Sequence, residues 1–167
     1  MTDDGIVLRE PEATDGARLH KLVAECKPLD PNSVYCNLLQ CCHFSQTCCV
    51  AEKDGSMIGF VTGYLHPKEK GVYFLWQVGV HPNASGHGLG KRMMKHILAR
   101  EACTGVHTMQ TTITTSNQPS RGLFASFAKS EGAEIKEEPY FTEEHFADTG
   151  HEPEYLFRIS PLSTPPA

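Results

Sequence analysis

Three glycines at alternate positions, Gly86, Gly88 and Gly90, stand between an apolar run ending at Val80 and a stretch of helical periodicity starting at Leu89. Glycine lets a backbone turn tightly and come within hydrogen-bonding distance of a ligand. The first amides of a helix have no internal partners and carry the positive end of its dipole. A strand, a glycine-rich turn and a helix start, in that order, make an anion site suited to a pyrophosphate. Lys91 and Arg92 add positive charge at the same place. Other glycine loops fit less well. A dinucleotide fingerprint wants Gly-x-Gly-x-x-Gly, and a P-loop wants Ser or Thr after Gly-Lys, where this chain has Arg92.

A second group of reactive side chains is the cysteines: Cys26, Cys36, Cys41, Cys42, Cys48, Cys49 and Cys103. Their number is odd, no Cys-x-x-Cys pair occurs, and the N-terminus lacks the basic flank and apolar stretch of a secretory signal. They read as small buried apolar residues rather than as a disulfide framework or a metal site. The chain has 167 residues, is 40% hydrophobic and 21% charged, and carries a net charge of −5. That suits one globular domain with a core at about 6–162. It gives no electrostatic footprint for nucleic acid. No apolar run reaches the roughly 20 residues that span a bilayer, so a cytoplasmic protein without membrane contact is expected.

The elements that would position the glycine turn follow from periodicity. Strands are expected at 6–10, 47–52, 57–65, 72–80, 107–114, 133–141 and 153–160. Helices are expected after a Thr14-Asp15 cap through Cys26, after Asn32 or Ser33 through Cys42, over 89–100 and over 117–129. Asp54-Gly55 reads as a hairpin turn, and a polar loop with a helical turn at 143–147 precedes the last strand. Residues 163–167 read as a Pro-rich frayed tail. The order is that of one mixed α/β domain, with a central mixed, twisted sheet of 6–7 strands flanked by about four helices.

With these elements in place, Ser85-Gly86-His87-Gly88-Leu89-Gly90 resembles the fingerprint of the GCN5-related N-acetyltransferases, Arg/Gln-x-x-Gly-x-Gly/Ala after a strand. Ser85 departs from it, because the family usually has Arg or Gln there. Asn117, Ser120, Leu123 and Phe124 match a second block, in which the Asn commonly touches the pantetheine arm and a Tyr often protonates the leaving thiolate. Phe124 stands in place of that Tyr and cannot donate a proton; on an amphipathic helix it reads as a core residue. The resemblance implies acetyl-CoA as cosubstrate, with no metal, held by Val78, Val80, Ser85, Gly86, His87, Gly88, Leu89, Gly90, Lys91, Asn117 and Phe124.

Within that family the chain is similar to the diaminobutyrate acetyltransferases of ectoine biosynthesis. The similarity is carried by Leu29-Asp30-Pro-Asn-Ser-Val-Tyr35, His43-Phe44, Val50-Ala-Glu52, Trp76-Gln77-Val78, Thr111 to Asn117, Pro139-Tyr140-Phe141 and His151-Glu152-x-Glu154. It implies a homodimer that acetylates the γ-amine of a small diamine amino acid. An alkyl ammonium has a pKa of about 10, so a base, a water chain or a desolvating pocket must remove its proton. The resemblance raises Asp30 and Glu154 as ammonium ligands, either of which could take the proton. It makes Tyr35 a donor to the substrate carboxylate or an acid, and gives the oxyanion to the backbone amide near a bulge at Val78. Trp76, Gln77, Thr115 and His151 complete the expected acceptor site. By strand alternation Trp76 and Gln77 face opposite ways unless a bulge intervenes. Two other readings stay open: the same fold acting on another small amine or a protein N-terminus, and a CoA-binding sensor without turnover.

Overall fold

The computed structural model describes residues 4–163. Residues 164–167 of the expected tail, and Met1 to Asp3 of the expected leaderless N-terminus, lie outside the described residues. Seven strands and four α-helices follow in the expected order. They are β1 Ile6–Arg9, α1 Gly16–Glu25, α2 Val34–Cys42, β2 Cys49–Lys53, β3 Ser56–Leu65, β4 Val72–Val80, α3 Leu89–Leu98, β5 Thr108–Thr114, α4 Gln118–Glu131, β6 Glu134–Phe141 and β7 Glu154–Ser160. The strand order is β1-β2-β3-β4-β5-β7-β6. The β4–β5 pair is parallel, whereas β1–β2, β2–β3, β5–β7 and β6–β7 are antiparallel, so the sheet is mixed.

The described residues form two compact units, 4–65 with 75–104, and 66–74 with 105–163. In the first unit, Leu19, Leu22 and Val23 of α1 pack with Cys26, Cys41, Val50 and Phe60 in one buried cluster. Helix α3 buries Leu89, Met93, Met94, Ile97 and Leu98, the i, i+4, i+5, i+8, i+9 face of an amphipathic helix. Its first turn can lie close to β3 because residue 59 is glycine. A Cβ there would come within 3.1 Å of both Leu89 and Met93. Five of the seven cysteines are buried, as their apolar reading requires; Cys42 is exposed and Cys36 intermediate.

In the second unit, Met109, Ile113, Phe124, Phe127, Phe157 and Ile159 are buried. Strand β7 lies between β5 and β6, and β6 forms the sheet edge with most of its residues exposed. Pro139 is tolerated there because an edge strand need not donate every amide, and the ladder is irregular between Pro139 and Phe141.

Two cap expectations resolve differently. Ser33 caps α2, its Oγ accepting from the Cys36 amide at 3.0 Å. Asp15 holds the N-cap position of α1, but its side chain accepts from none of that helix's amides. Its carboxylate turns back to accept from the Glu12 amide at 2.8 Å and from Arg9 at 2.8 and 2.9 Å, so the chain makes a 3-10 turn over Ala13–Asp15 before α1 begins. The turn expected at 143–147 is present as hydrogen-bonded turns over 143–146, and it runs on into a 3-10 turn at Ala147–Thr149.

Candidate active site

The glycine turn adopts the conformation that its composition requires. Gly86 has φ +92°, and Gly88, the N-cap of α3, has φ +62° and ψ +27°. Both lie in the left-handed region that side chains with a Cβ avoid. A Cβ at either position would meet nothing within 4 Å, so the space in front of the loop is open. An open loop at a helix N-terminus fits a pyrophosphate. Val78 and Val80 end the strand that feeds it, and His81 ties that end to β3, its amide donating to the Ile58 carbonyl at 2.8 Å. His87 is exposed, and Leu89 and Gly90 are buried in the first turn of α3. Ser85 spends its hydroxyl within the loop, donating to the Pro82 carbonyl at 3.1 Å. Arg92 does not add free charge to the cradle: it pairs with Asp4 at 2.7 Å, and that hydrogen bond holds the Asp4 carboxyl below its usual range. Lys91, in the first turn of α3, is the other basic residue that follows the glycines.

Strand β4 carries a bulge in front of this loop. The His66 amide donates to the Val72 carbonyl, and the His81 amide to the Ile58 carbonyl, both at 2.8 Å. Between those two ties β4 has one residue more than β3. Within the stretch, the Gln77 amide donates to the Thr62 hydroxyl, at 3.2 Å. The extra residue interrupts the pleat. Trp76 and Gln77 are therefore exposed and half-exposed next to each other, whereas strict alternation would bury one of them.

The loop carrying Asp30 and the ring of Tyr64 meet this bulge at Gln77 and Trp76. The Trp76 ring is 38% exposed and meets Tyr64 edge-on, centroids 5.9 Å apart, and Tyr64 in turn lies 6.1 Å from Phe44. Gln77 donates through Nε2 to the Asp30 carbonyl at 2.8 Å and accepts through Oε1 from Asn32 Nδ2 at 3.1 Å. Asp30 is exposed in the loop before α2, and Tyr35, in the first turn of α2, is 70% exposed. Thr62 and Tyr64 are not marked by sequence, and Asn32 is marked only as a possible helix cap; their partners lie 12 to 45 residues away, and no local pattern marks such a pairing.

The second unit holds the remaining expected residues. Asn117 caps α4, accepting from the Ser120 amide at 3.2 Å, which leaves its Nδ2 donor outside the cap. Phe124 is 1% exposed and part of the core. Thr115 is exposed beside Ser116, whose hydroxyl donates to Glu152 at 2.5 Å. His151 stacks on Phe146 with centroids 4.0 Å apart and contacts the Glu152 carbonyl at 2.6 Å through Nδ1. Glu154 lines a cavity of about 460 Å³ with Tyr140, Phe141, Glu143, Glu144 and Tyr155. Carboxylates and aromatic faces are the surroundings that a cation prefers. Among the described residues, no three His, Cys, Asp or Glu side chains are grouped as a metal ion would need, and no helix is long and apolar enough to cross a membrane.

Residues 17–128 match the model of the acetyltransferase (GNAT) family. The chain is 48% identical to an L-2,4-diaminobutyric acid acetyltransferase of Bordetella parapertussis, over 95% of this chain and 86% of that protein. It is 43% identical to the enzyme of the same name from Vibrio cholerae, over 92% and 88%. Its fold superposes with a TM-score of 0.90, at 34% identity and over 97% and 98% of the two chains, on the diaminobutyrate acetyltransferase of Paenibacillus lautus in complex with L-2,4-diaminobutyric acid and coenzyme A.

Proposed function

The chain belongs to the acetyltransferase (GNAT) family, and on that premise we propose that it moves the acetyl group of acetyl-CoA to the γ-amine of L-2,4-diaminobutyrate. The product is N-γ-acetyl-2,4-diaminobutyrate, a step of ectoine biosynthesis. The observation that carries this reading is the near full-length similarity to a diaminobutyrate acetyltransferase that holds both substrate and coenzyme A. We take the whole chain as one catalytic domain, acting in the cytoplasm as a homodimer and serving the osmotic stress response.

The amides of Gly86 to Lys91, with the Lys91 charge, hold the pyrophosphate; Val80, Ser85 and His87 border it. Asn117 uses its remaining amide donor on the pantetheine arm, and Phe124 supports that helix from the core. Acetyl-CoA supplies the activated acyl thioester. The Val78 amide, on the bulged strand, donates to the oxyanion. Asp30 and Glu154 bind the ammonium groups, and one of them accepts the γ-amine proton directly or through water. Tyr35 donates to the substrate carboxylate or acts as acid, with Thr115 and His151 as further substrate contacts. The exposed ring of Trp76 walls the acceptor and excludes water.

Thiol release from acetyl-CoA tests the reading. It should be strong with 2,4-diaminobutyrate and weak or absent with ornithine, lysine and peptides. Release that is equally fast with every amine would refute the assigned acceptor, and no release with any amine would refute turnover.

A further inference from the structure

Gln77 sits beside Trp76 on the bulge, where a substrate contact is expected, yet both ends of its side chain are engaged by one loop. The Asp30 carbonyl can only accept, so the nitrogen of the Gln77 amide must face it, at 2.8 Å. The Gln77 oxygen then faces Asn32, whose Nδ2 donates at 3.1 Å. The backbone beneath is held as well, by the Gln77 amide on Thr62 Oγ1 at 3.2 Å. These bonds tie β3, the bulge of β4 and the loop carrying Asp30 into one chain of donors and acceptors. Within that loop, the Leu29 amide donates to the Cys26 carbonyl at 3.0 Å, and Ser33 caps α2. Gln77 grips the two residues between those anchors whose side chains or carbonyls it can reach.

We propose that Gln77 and Asn32 are positioning residues that clamp the Asp30 loop to the bulge of β4, so that Gln77 acts on the acceptor through Asp30 rather than by touching it. This rests on the assignment of Asp30 to a substrate ammonium group. The clamp gives the β4 bulge a second task. The extra residue turns Gln77 sideways to the loop while Trp76 stays exposed, so one irregularity sets both the wall and the charge of the acceptor site. Residues that orient a charged ligand-binding group without contacting the ligand change affinity for that ligand alone.

Steady-state kinetics of Gln77→Ala, Gln77→Glu and Asn32→Ala test the clamp. Gln77→Glu keeps the size of the side chain and sets a carboxylate oxygen against the Asp30 carbonyl. Both Gln77 variants should raise KM for diaminobutyrate about tenfold, the equivalent of one lost hydrogen bond. Asn32→Ala should raise it several-fold. KM for acetyl-CoA and the thermal midpoint should stay near wild type, which separates positioning from general damage to the fold. The decisive comparison is the double variant Gln77→Ala/Asp30→Asn, expected to be no worse than Asp30→Asn alone. Full additivity would show that Gln77 meets the substrate directly and would overturn the clamp, leaving the role of Asp30 intact. An unchanged KM in both Gln77 variants would overturn it too. An unchanged KM in Asp30→Asn would instead overturn the ammonium assignment, and the clamp with it.

Discussion

Replacing Gly88 with alanine isolates the contribution of backbone conformation to the cofactor cradle. A Cβ at residue 88 meets no atom within 4 Å, so nothing is displaced by bulk. The whole effect must come from holding alanine at φ +62°, ψ +27°. Left-handed conformation costs a residue with a Cβ about 1–2 kcal/mol. If the loop must keep this geometry to present its amides, the binding-competent population falls by that amount, and the Kd for coenzyme A rises about 5- to 30-fold. Global stability changes less, by about 1 kcal/mol, because alanine also restricts the unfolded chain. For a protein of this size that is about 2–4 °C in Tm. At saturating acetyl-CoA, kcat should be near wild type, since the loss lies in binding rather than in the reacting groups. Gly88→Asn is the control, because asparagine tolerates the left-handed region and also caps helices. Titration calorimetry with coenzyme A measures all three proteins. The reasoning is refuted if alanine binds as tightly as glycine, or if asparagine is as poor as alanine.

Three further outcomes follow from the geometry. Burial pushes the thiols of Cys41 and Cys48 up to about 12 and those of Cys49 and Cys103 to about 11. In native protein at pH 8 a thiol reagent should therefore modify Cys42 quickly, Cys36 slowly and those four only after unfolding, counted by mass spectrometry. Burial raises the Asp15 carboxyl, but the Arg9 hydrogen bonds, the Glu12 amide and the charges of Arg9 and Arg18 outweigh it and hold the group below its usual range. A depressed folded value stabilises above the unfolded pKa of about 4 and loses that stabilisation as pH falls through the folded value. Asp15→Asn should accordingly cost about 2–3 kcal/mol at pH 7 in urea unfolding, and less as the pH is taken below 4. Trp76 is the only tryptophan and is 38% exposed, so its fluorescence should shift on adding diaminobutyrate but not alanine; an unchanged spectrum at saturation would remove it from the acceptor wall.

The order of elements was legible because periodicity is local: Leu89, Met93, Met94 and Ile97 declare the buried face of α3 without reference to anything else. The glycine turn was legible for the same reason, since φ +92° and +62° strongly favour glycine. What could not be read depends on partners distant in sequence. The insertion of β7 between β5 and β6 is a choice among pairings that the strand pattern leaves equal. The bulge of β4 shows only when its hydrogen bonds to β3 are followed from both ends. Arg92 looks like a cradle cation until Asp4, 88 residues away in sequence, neutralises it. Asp15 looks like a helix cap until Arg9 and Arg18 claim its carboxylate.

The two departures from the family pattern become intelligible together. Ser85 replaces a residue able to reach the phosphates and turns its hydroxyl inward to Pro82, while Phe124 replaces a proton donor and is buried at 1% exposure. Neither position carries the side chain that the family usually has there. Arg92, the other candidate cation, is held by Asp4. On the proposed assignment the cradle binds the pyrophosphate mainly through main-chain donors, so a change of backbone conformation at one glycine should matter more here than the loss of a side chain. The thiolate, in turn, has to leave without a proton from residue 124. On the proposed reaction the burden of catalysis shifts to deprotonating and aiming the amine, and therefore to the side chains that the bulge of β4 arranges.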